Sequence, residues 1–153
     1  MRAAIEFADV VKRYGTAPVV NGLSAAIPQG KVTGLLGHNG AGKTTLIKLM
    51  LGLIHPTAGT VSVLGRPAGS REVRVRIGYL PENVAFYGNL TGREVLAYFA
   101  RLKNVPQSEC SMLLERVGLD AAAGRAVRTY SKGMRQRLGL AQALLGAPEL
   151  LVL

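Results

Sequence analysis

The fold of this chain is decided by the stretch Gly37-His38-Asn39-Gly40-Ala41-Gly42-Lys43-Thr44. It matches the pattern G-x-x-x-x-G-K-[ST], in which small residues let successive backbone N–H groups point at one phosphate chain. Lys43 would add a positive charge at the β and γ phosphates, and Thr44 a hydroxyl for a Mg²⁺ shell. A helix beginning there, with Thr45 in its first turn, presents the positive end of its dipole to the same anion. The stretch therefore predicts a site for nucleotide phosphates.

Short strands are predicted on both sides of this loop. An apolar run of strand length, Lys31 to Leu36, leads into it, and apolar residues at helical spacing follow it. The order strand, glycine loop, helix is the context that the motif requires, and it indicates an α/β fold. Four further strands are predicted by alternating or short apolar runs between turn residues: Ile5 to Val11 and Val19 to Ile27, which form an antiparallel pair, then Thr60 to Leu64 and Ile77 to Leu80.

Residues 90 to 146 are predicted to be mostly helical. Thr91-Gly92-Arg93-Glu94 is a capping box, which predicts a helix immediately after it. A second helix is predicted from Pro106 to Gly118, and a third from Met134 to Leu145. The final apolar residues, Leu150 to Leu153, predict the start of a buried parallel strand. Because the chain stops inside that element, we expect the sequence to be truncated.

Length and composition exclude several other kinds of protein and site. The chain has 153 residues, of which 48% are apolar, so one domain with one main core is expected. Its single cysteine, Cys110, excludes an internal disulfide and a multi-cysteine metal cluster, and we expect Cys110, His38 and His55 to be structural or solvated. No apolar stretch reaches the length of a membrane span. The net charge of +10 suits a polyanion: nucleic acid, an anionic membrane surface or nucleotide phosphates.

A second motif, Tyr130-Ser131-Lys132-Gly133-Met134-Arg135-Gln136-Arg137, resembles the signature motif of ATP-binding cassette (ABC) ATPases, usually written L-S-G-G-Q. Ser131 and Gly133 match it, whereas Tyr130, Lys132 and Met134 depart from it. The resemblance covers residues 1–153 and implies a P-loop nucleotide-binding domain. That domain would have an N-terminal antiparallel β portion, a partial parallel core sheet and a helical subdomain at about 90–146, and it would be truncated in the Walker B strand.

The resemblance also implies roles for four residues outside the loop. Ser131 and Gly133 would contact the γ-phosphate of ATP held by a second subunit, and the alternative is that Ser131 is only a helix N-cap. Tyr14 stands where the family places an aromatic ring against adenine, and the alternative is an ordinary turn tyrosine. Glu82 takes the place of a Gln that faces Mg²⁺ and the attacking water, and the alternative is a solvated loop glutamate.

The function implied is that of an ATP-binding subunit of an ABC transporter, cytoplasmic and attached to the inner face of the membrane through a permease partner. Two such subunits would bind Mg-ATP between them, and no nucleic acid is expected as a partner. The Walker B Asp and Glu and the switch His are absent from this chain, so it contains no catalytic residue and is expected not to turn over ATP.

Residues 79 to 103 and 128 to 146 resemble one branch of the family more closely. That branch is the NosF type, the ATP-binding subunits of a copper-related transporter that helps to mature nitrous oxide reductase, with ABC-2-type exporter subunits as the main alternative. Two other function classes stay open on the sequence. One is a nucleic-acid- or ribosome-associated ABC ATPase, suggested by the net charge. The other is a nucleotide-binding regulator that does not hydrolyse ATP.

Overall fold

A computed structural model describes residues 2–153. The chain divides into two units, the first ending at Arg74 and the second running from Val75 to Leu153. The candidate phosphate loop lies in the first unit, and the candidate signature motif lies in the second.

The first unit is built on an antiparallel sheet. Strands β1 (Ala3–Arg13) and β2 (Pro18–Pro28) form the predicted pair, and β3 (Ala58–Val63) joins the other side of β1. With the short strand β4 (Arg66–Pro67) the order is β2-β1-β3-β4. Two helices complete the unit, α1 (Lys43–Met50) and the short α2 (Arg71–Arg74). The buried side chains from the sheet and α1 include Ile5, Phe7, Val10, Val61, Val63, Leu49 and Met50.

The strand predicted at Lys31 to Leu36 is not observed. These residues are irregular and exposed, and Leu36 keeps 92% of its surface accessible. An apolar run becomes a strand only when its N–H and C=O groups bond to a neighbouring chain segment. Within residues 2–153, none of the strands pairs with this segment, so the prediction from its apolar side chains was wrong.

The second unit combines a small parallel sheet with three helices. Strands β5 (Ile77–Tyr79) and β6 (Leu150–Val152) run parallel, with Ile77 opposite Leu150, so the predicted partial parallel sheet is present with two strands. The burial predicted for the final strand was wrong, because Leu151 is 40% exposed. The helices are α3 (Gly92–Lys103), α4 (Ser108–Arg116) and α5 (Lys132–Leu144), with a 3₁₀ turn at Val127–Thr129 before α5.

The helix predictions need small corrections. α4 begins two residues after Pro106, and α5 begins before Met134, because Ser131 caps it. The three helices pack around fully buried leucines: Leu96, Leu114, Leu119, Leu138 and Leu145.

Polar contacts tie the ends of these elements together. Lys103 Nζ at the end of α3 donates a hydrogen bond to the carbonyl oxygen of Leu145, 3.0 Å away, and its burial lowers the pKa of the ammonium group. Arg76 makes a bidentate ion pair with Glu149, with Nε 2.6 Å from Oε1 and Nη2 2.8 Å from Oε2. These residues flank β5 and β6, so the pair helps to hold the parallel strands in register.

In the part of the chain that the structure describes, no helix is long and apolar enough to cross a membrane.

Candidate functional site

The backbone of the loop 37–44 depends on glycine at two positions. Gly40 and Gly42 have φ angles of +86° and +88°, in the left-handed region that side chains disfavour. Gly42 is also the N-cap of α1, and a Cβ placed on it would lie 3.1 Å from the carbonyl oxygen of Val19. The conformation that presents the loop at the start of α1 therefore requires small residues here.

The Lys43 side chain folds back over the beginning of this loop. Its Nζ donates hydrogen bonds to the carbonyl oxygens of Gly37 at 2.6 Å and His38 at 2.9 Å. The Ala41 N–H donates to the same His38 oxygen, and His38 Nδ1 lies 2.8 Å from the Asn39 oxygen. The ammonium group is thus held at an exposed loop.

The first turn of α1 adds to the positive character of this loop. It contains no acidic residue, so no carboxylate offsets the positive end of the helix dipole. Thr44 is exposed there, whereas Thr45 is buried. Of these two threonines, Thr44 is therefore the one open to a ligand.

Tyr14 lies in the turn between β1 and β2, in the same unit as the loop. Tyr14 is 54% exposed, and Lys12 Nζ lies 5.3 Å from the centroid of its ring. The turn leads into β2, whose Val19 carbonyl lies against Gly42. The structure therefore brings the strand that follows Tyr14 into contact with the glycine loop.

Ser131 is the N-cap of α5. Its Oγ accepts a hydrogen bond from the Met134 N–H at 3.1 Å, and Gly133 is exposed beside it. The cap uses the hydroxyl oxygen as an acceptor, and its proton remains a donor for an anion. Neighbouring Tyr130 is buried, donates from Oη to the Ala122 carbonyl at 2.7 Å, and has a raised pKa because of that burial. The motif therefore combines a buried aromatic anchor with an exposed polar helix start.

Glu82 lies on an exposed segment just after β5. Its carbonyl oxygen accepts a hydrogen bond from Gln136 Nε2 at 2.8 Å, which joins this segment to α5. Glu82 and the signature motif thus share the second unit, whereas Thr44 belongs to the first. Among residues 2–153, no group of three or more His, Cys, Asp or Glu side chains could hold a metal ion.

An apolar cleft of about 290 Å³ lies between the segment 85–90 and α3. The Phe86 and Phe99 rings meet edge to face with centroids 6.2 Å apart, and Tyr98 and Phe99 do so at 5.4 Å. The other lining residues are Ala85, Tyr87, Leu90 and Val95. Aromatic walls of this kind provide anchoring points for an apolar or amphipathic segment.

Comparison with known proteins identifies the family. Residues 20–153 match the family model described as ABC transporter. The chain belongs to the ABC transporter family. A solved structure described as the ATP binding subunit of an ABC transporter superposes with a TM-score of 0.82 at 28% identity, covering 92% of this chain and 61% of that one. The predicted fold class, an ABC-type P-loop nucleotide-binding domain, is confirmed.

Several relatives carry functional names, and two of them illustrate the range. The chain is 43% identical over 156 residues to the bacitracin transport ATP-binding protein BcrA of Enterococcus faecalis, covering 100% of this chain and 51% of BcrA. It is 44% identical over 157 residues to the Nod factor export ATP-binding protein I of Burkholderia orbicola, covering 99% and 52%. The chain spans about half the length of the curated relatives it matches.

Sequence reasoning missed two residues of this ABC domain that contact the candidate site. Lys12 lies at the ring of Tyr14, and Gln136 holds the backbone of Glu82. Lys12 lies near the end of β1 and Tyr14 in the turn that follows, so the alternation of side chains along a strand does not predict their contact. Gln136 lies 54 residues from Glu82 in sequence, and no local pattern links them.

Proposed function

We propose that this chain is the ATP-binding part of an ABC transporter, and that the full-length protein hydrolyses Mg-ATP to drive a membrane permease. The observation that carries the proposal is the loop 37–44. Two glycines with left-handed φ angles shape it at the start of α1, and the Lys43 ammonium is held within it. Backbone N–H groups, a helix dipole and a lysine together suit the β and γ phosphates of a nucleotide.

Magnesium would reach this site together with the nucleotide. Mg²⁺ commonly takes only one or two protein oxygens and completes its shell with phosphate oxygens and water, which fits the exposed Thr44 hydroxyl at the start of α1. Glu82, on an exposed segment of the second unit, carries a carboxylate that we also propose as an oxygen ligand for Mg²⁺. When bound, the ion neutralises charge that develops on the phosphates. Lys43 would hold the same phosphates in position.

Two partner surfaces support the transporter proposal. Ser131 and Gly133 are exposed at the start of α5, where they would contact the γ-phosphate of ATP bound to a second subunit. The aromatic cleft between residues 85–90 and α3 would receive an apolar segment of the permease, with Phe86 and Phe99 as anchors. The protein would then lie at the inner face of the membrane through its permease.

The names of the relatives favour transport over the other function classes. BcrA is named for bacitracin transport and the Burkholderia protein for Nod factor export, which supports an exporter subunit rather than a nucleic-acid-associated ATPase or a regulator. The narrower proposal, a NosF-type subunit, rests on residues 79 to 103 and 128 to 146. Disrupting the gene in its host and measuring nitrous oxide reductase activity distinguishes a NosF-type subunit from another exporter subunit. The activity should be lost only if the protein is of the NosF type.

The decisive experiment removes the loop cation. Lys43→Ala in the full-length protein should weaken Mg-ATP binding by at least about tenfold, because a hydrogen bond to a charged group contributes about 1.5–3 kcal/mol. Calorimetric titration measures the change. Lys48→Ala on the same helix is the matched control and should bind as the parent does. Equal affinity of the parent and Lys43→Ala would refute the phosphate-loop assignment.

A further inference from the structure

We propose that Lys12 is a positioning residue for the Tyr14 ring, and that it determines how well this domain binds the base of its nucleotide. The inference rests on the proposed function and on the expectation from the family resemblance that Tyr14 stacks on adenine. Lys12 lies outside the phosphate loop and the signature motif. Its effect should therefore appear in recognition of the base and not in recognition of the phosphates.

The Lys12 ammonium group bridges two parts of the first unit. Its Nζ donates a hydrogen bond to the carbonyl oxygen of His55 at 2.7 Å and lies 5.3 Å from the centroid of the Tyr14 ring. That distance is within the range of about 6 Å over which a cation is attracted to an aromatic face. An ammonium has three donors, so it can bond to the carbonyl and still face the ring.

The His55 carbonyl is itself held close to the end of β1. The Thr57 N–H donates to the Val11 carbonyl at 2.7 Å, and the Arg13 N–H donates to Thr57 Oγ1 at 3.1 Å. Residues 55–57 are therefore fastened to the same strand end that carries Lys12. A cation anchored at this strand end restricts the orientation of the Tyr14 ring, which belongs to a residue that is 54% exposed.

The consequence for binding follows from the position of the ring. The Lys12 ammonium lies over it, and Tyr14 keeps 54% of its surface accessible, which leaves room for a planar base. Fixing a side chain before binding lowers the entropy lost when the ligand arrives. Without Lys12 the ring would sample other rotamers, and affinity for ATP should fall by about two- to fivefold, the range expected for an exposed cation–π contact.

The test compares a ligand that has a base with one that lacks it. Calorimetric titrations of the full-length protein with Mg-ATP and with Mg-tripolyphosphate are made for the parent and for Lys12→Gln. We expect about two- to fivefold weaker binding of ATP and unchanged binding of tripolyphosphate. Lys12→Arg keeps a cation at the ring and should restore ATP affinity. Lys48→Gln removes the same charge elsewhere and should change neither ligand.

A double-mutant cycle shows whether the effect passes through the ring. In a Tyr14→Leu background, Lys12→Gln should no longer change ATP affinity, because there is no ring to position. Equal losses for ATP and tripolyphosphate, or no loss for either, would overturn the positioning role. So would a loss that persists in the Tyr14→Leu background. A parent that binds tripolyphosphate but not ATP overturns base recognition by Tyr14, and one that binds neither overturns the proposed function; both remove the basis for this inference.

Discussion

Gly78 sets the distance between strand β5 and helix α5. A Cβ built on this residue would collide with the carbonyl oxygen of Ala143 and with the Leu151 side chain. The carbonyl belongs to the helix backbone and cannot move aside as the end of a flexible side chain can. Gly78→Ala should therefore lower the free energy of unfolding by about 1–3 kcal/mol, the usual cost of overpacking, as measured by urea denaturation.

Gly124 provides the control for this substitution. It lies in the same unit, and a Cβ on it would meet no atom within 4 Å. Gly124→Ala should therefore change stability by no more than about 0.5 kcal/mol. If both alanines cost the same, the close approach of α5 to β5 is not the reason for glycine at position 78.

At the level of single residues, sequence reasoning located the side chains whose roles depend on local spacing. The loop 37–44 was found because its glycines and Lys43 occupy fixed positions within one short segment of sequence. The Lys12 to His55 and Gln136 to Glu82 contacts were not found, because they join segments 43 and 54 residues apart. Such contacts depend on the packing of whole elements, and that information is not in the local pattern.

Helix α3 begins at a capping box that the sequence predicted and the structure confirms. Thr91 Oγ1 accepts from the Glu94 N–H at 3.2 Å, and the Glu94 carboxylate accepts from the Thr91 N–H at 2.8 Å. Thr91→Ala removes the hydroxyl that accepts from the Glu94 N–H. The change should cost about 1 kcal/mol of stability, measured by urea denaturation at neutral pH. An unchanged denaturation midpoint would show that water replaces the cap.

The same box predicts how stability depends on pH. Hydrogen bonds from the backbone and hydroxyl of Thr91 lower the pKa of Glu94 below its ordinary value of 4.5. The stabilisation is therefore complete above pH 4.5 and is lost as the pH falls through the lower pKa of the folded state. Glu94→Gln should destabilise the protein at pH 7 and less so under acid conditions, as followed by urea denaturation at several pH values. A constant difference across this range would contradict the lowered pKa.

Secondary-structure elements were predictable when neighbouring residues define where they begin and end. They were not predictable when they depend on pairing with a distant strand. Capping residues and helix-ending glycines located α3 and α4 to within about two residues. Lys31 to Leu36 has the apolar composition of a strand, yet it is irregular, because a strand forms only with a partner. β4 and α2 were missed because two and four residues are too short to produce a periodic pattern.

On the scale of the whole molecule, the candidate site residues are distributed over the two units. Tyr14 and the phosphate loop belong to the first, whereas Glu82, Ser131 and Gly133 belong to the second. The sequence shows each group of residues, but it contains no local signal for how such groups assemble around a nucleotide. The family resemblance supplies that expectation: a dimer in which the signature motif of one subunit meets ATP bound by the other.

Ser131→Ala tests this expectation, because Ser131 has both a structural and a proposed functional role. Loss of its cap on α5 should cost about 1 kcal/mol of stability. If Ser131 also binds the γ-phosphate across a dimer, the variant should lose ATP-dependent association as well. The measurement is sedimentation velocity with and without Mg-ATP, on full-length protein that carries a hydrolysis-blocking change.

Thr91→Ala is the matched control for this experiment, because it removes the same kind of cap from α3 in the same unit. Both variants should lose similar stability, since each leaves one helix N–H without its side-chain partner. Only Ser131→Ala should fail to dimerise, because Thr91 lies outside the signature motif. A Ser131→Ala protein that dimerises as well as its parent would reduce the residue to an N-cap, and a parent that stays monomeric with Mg-ATP would refute the shared site.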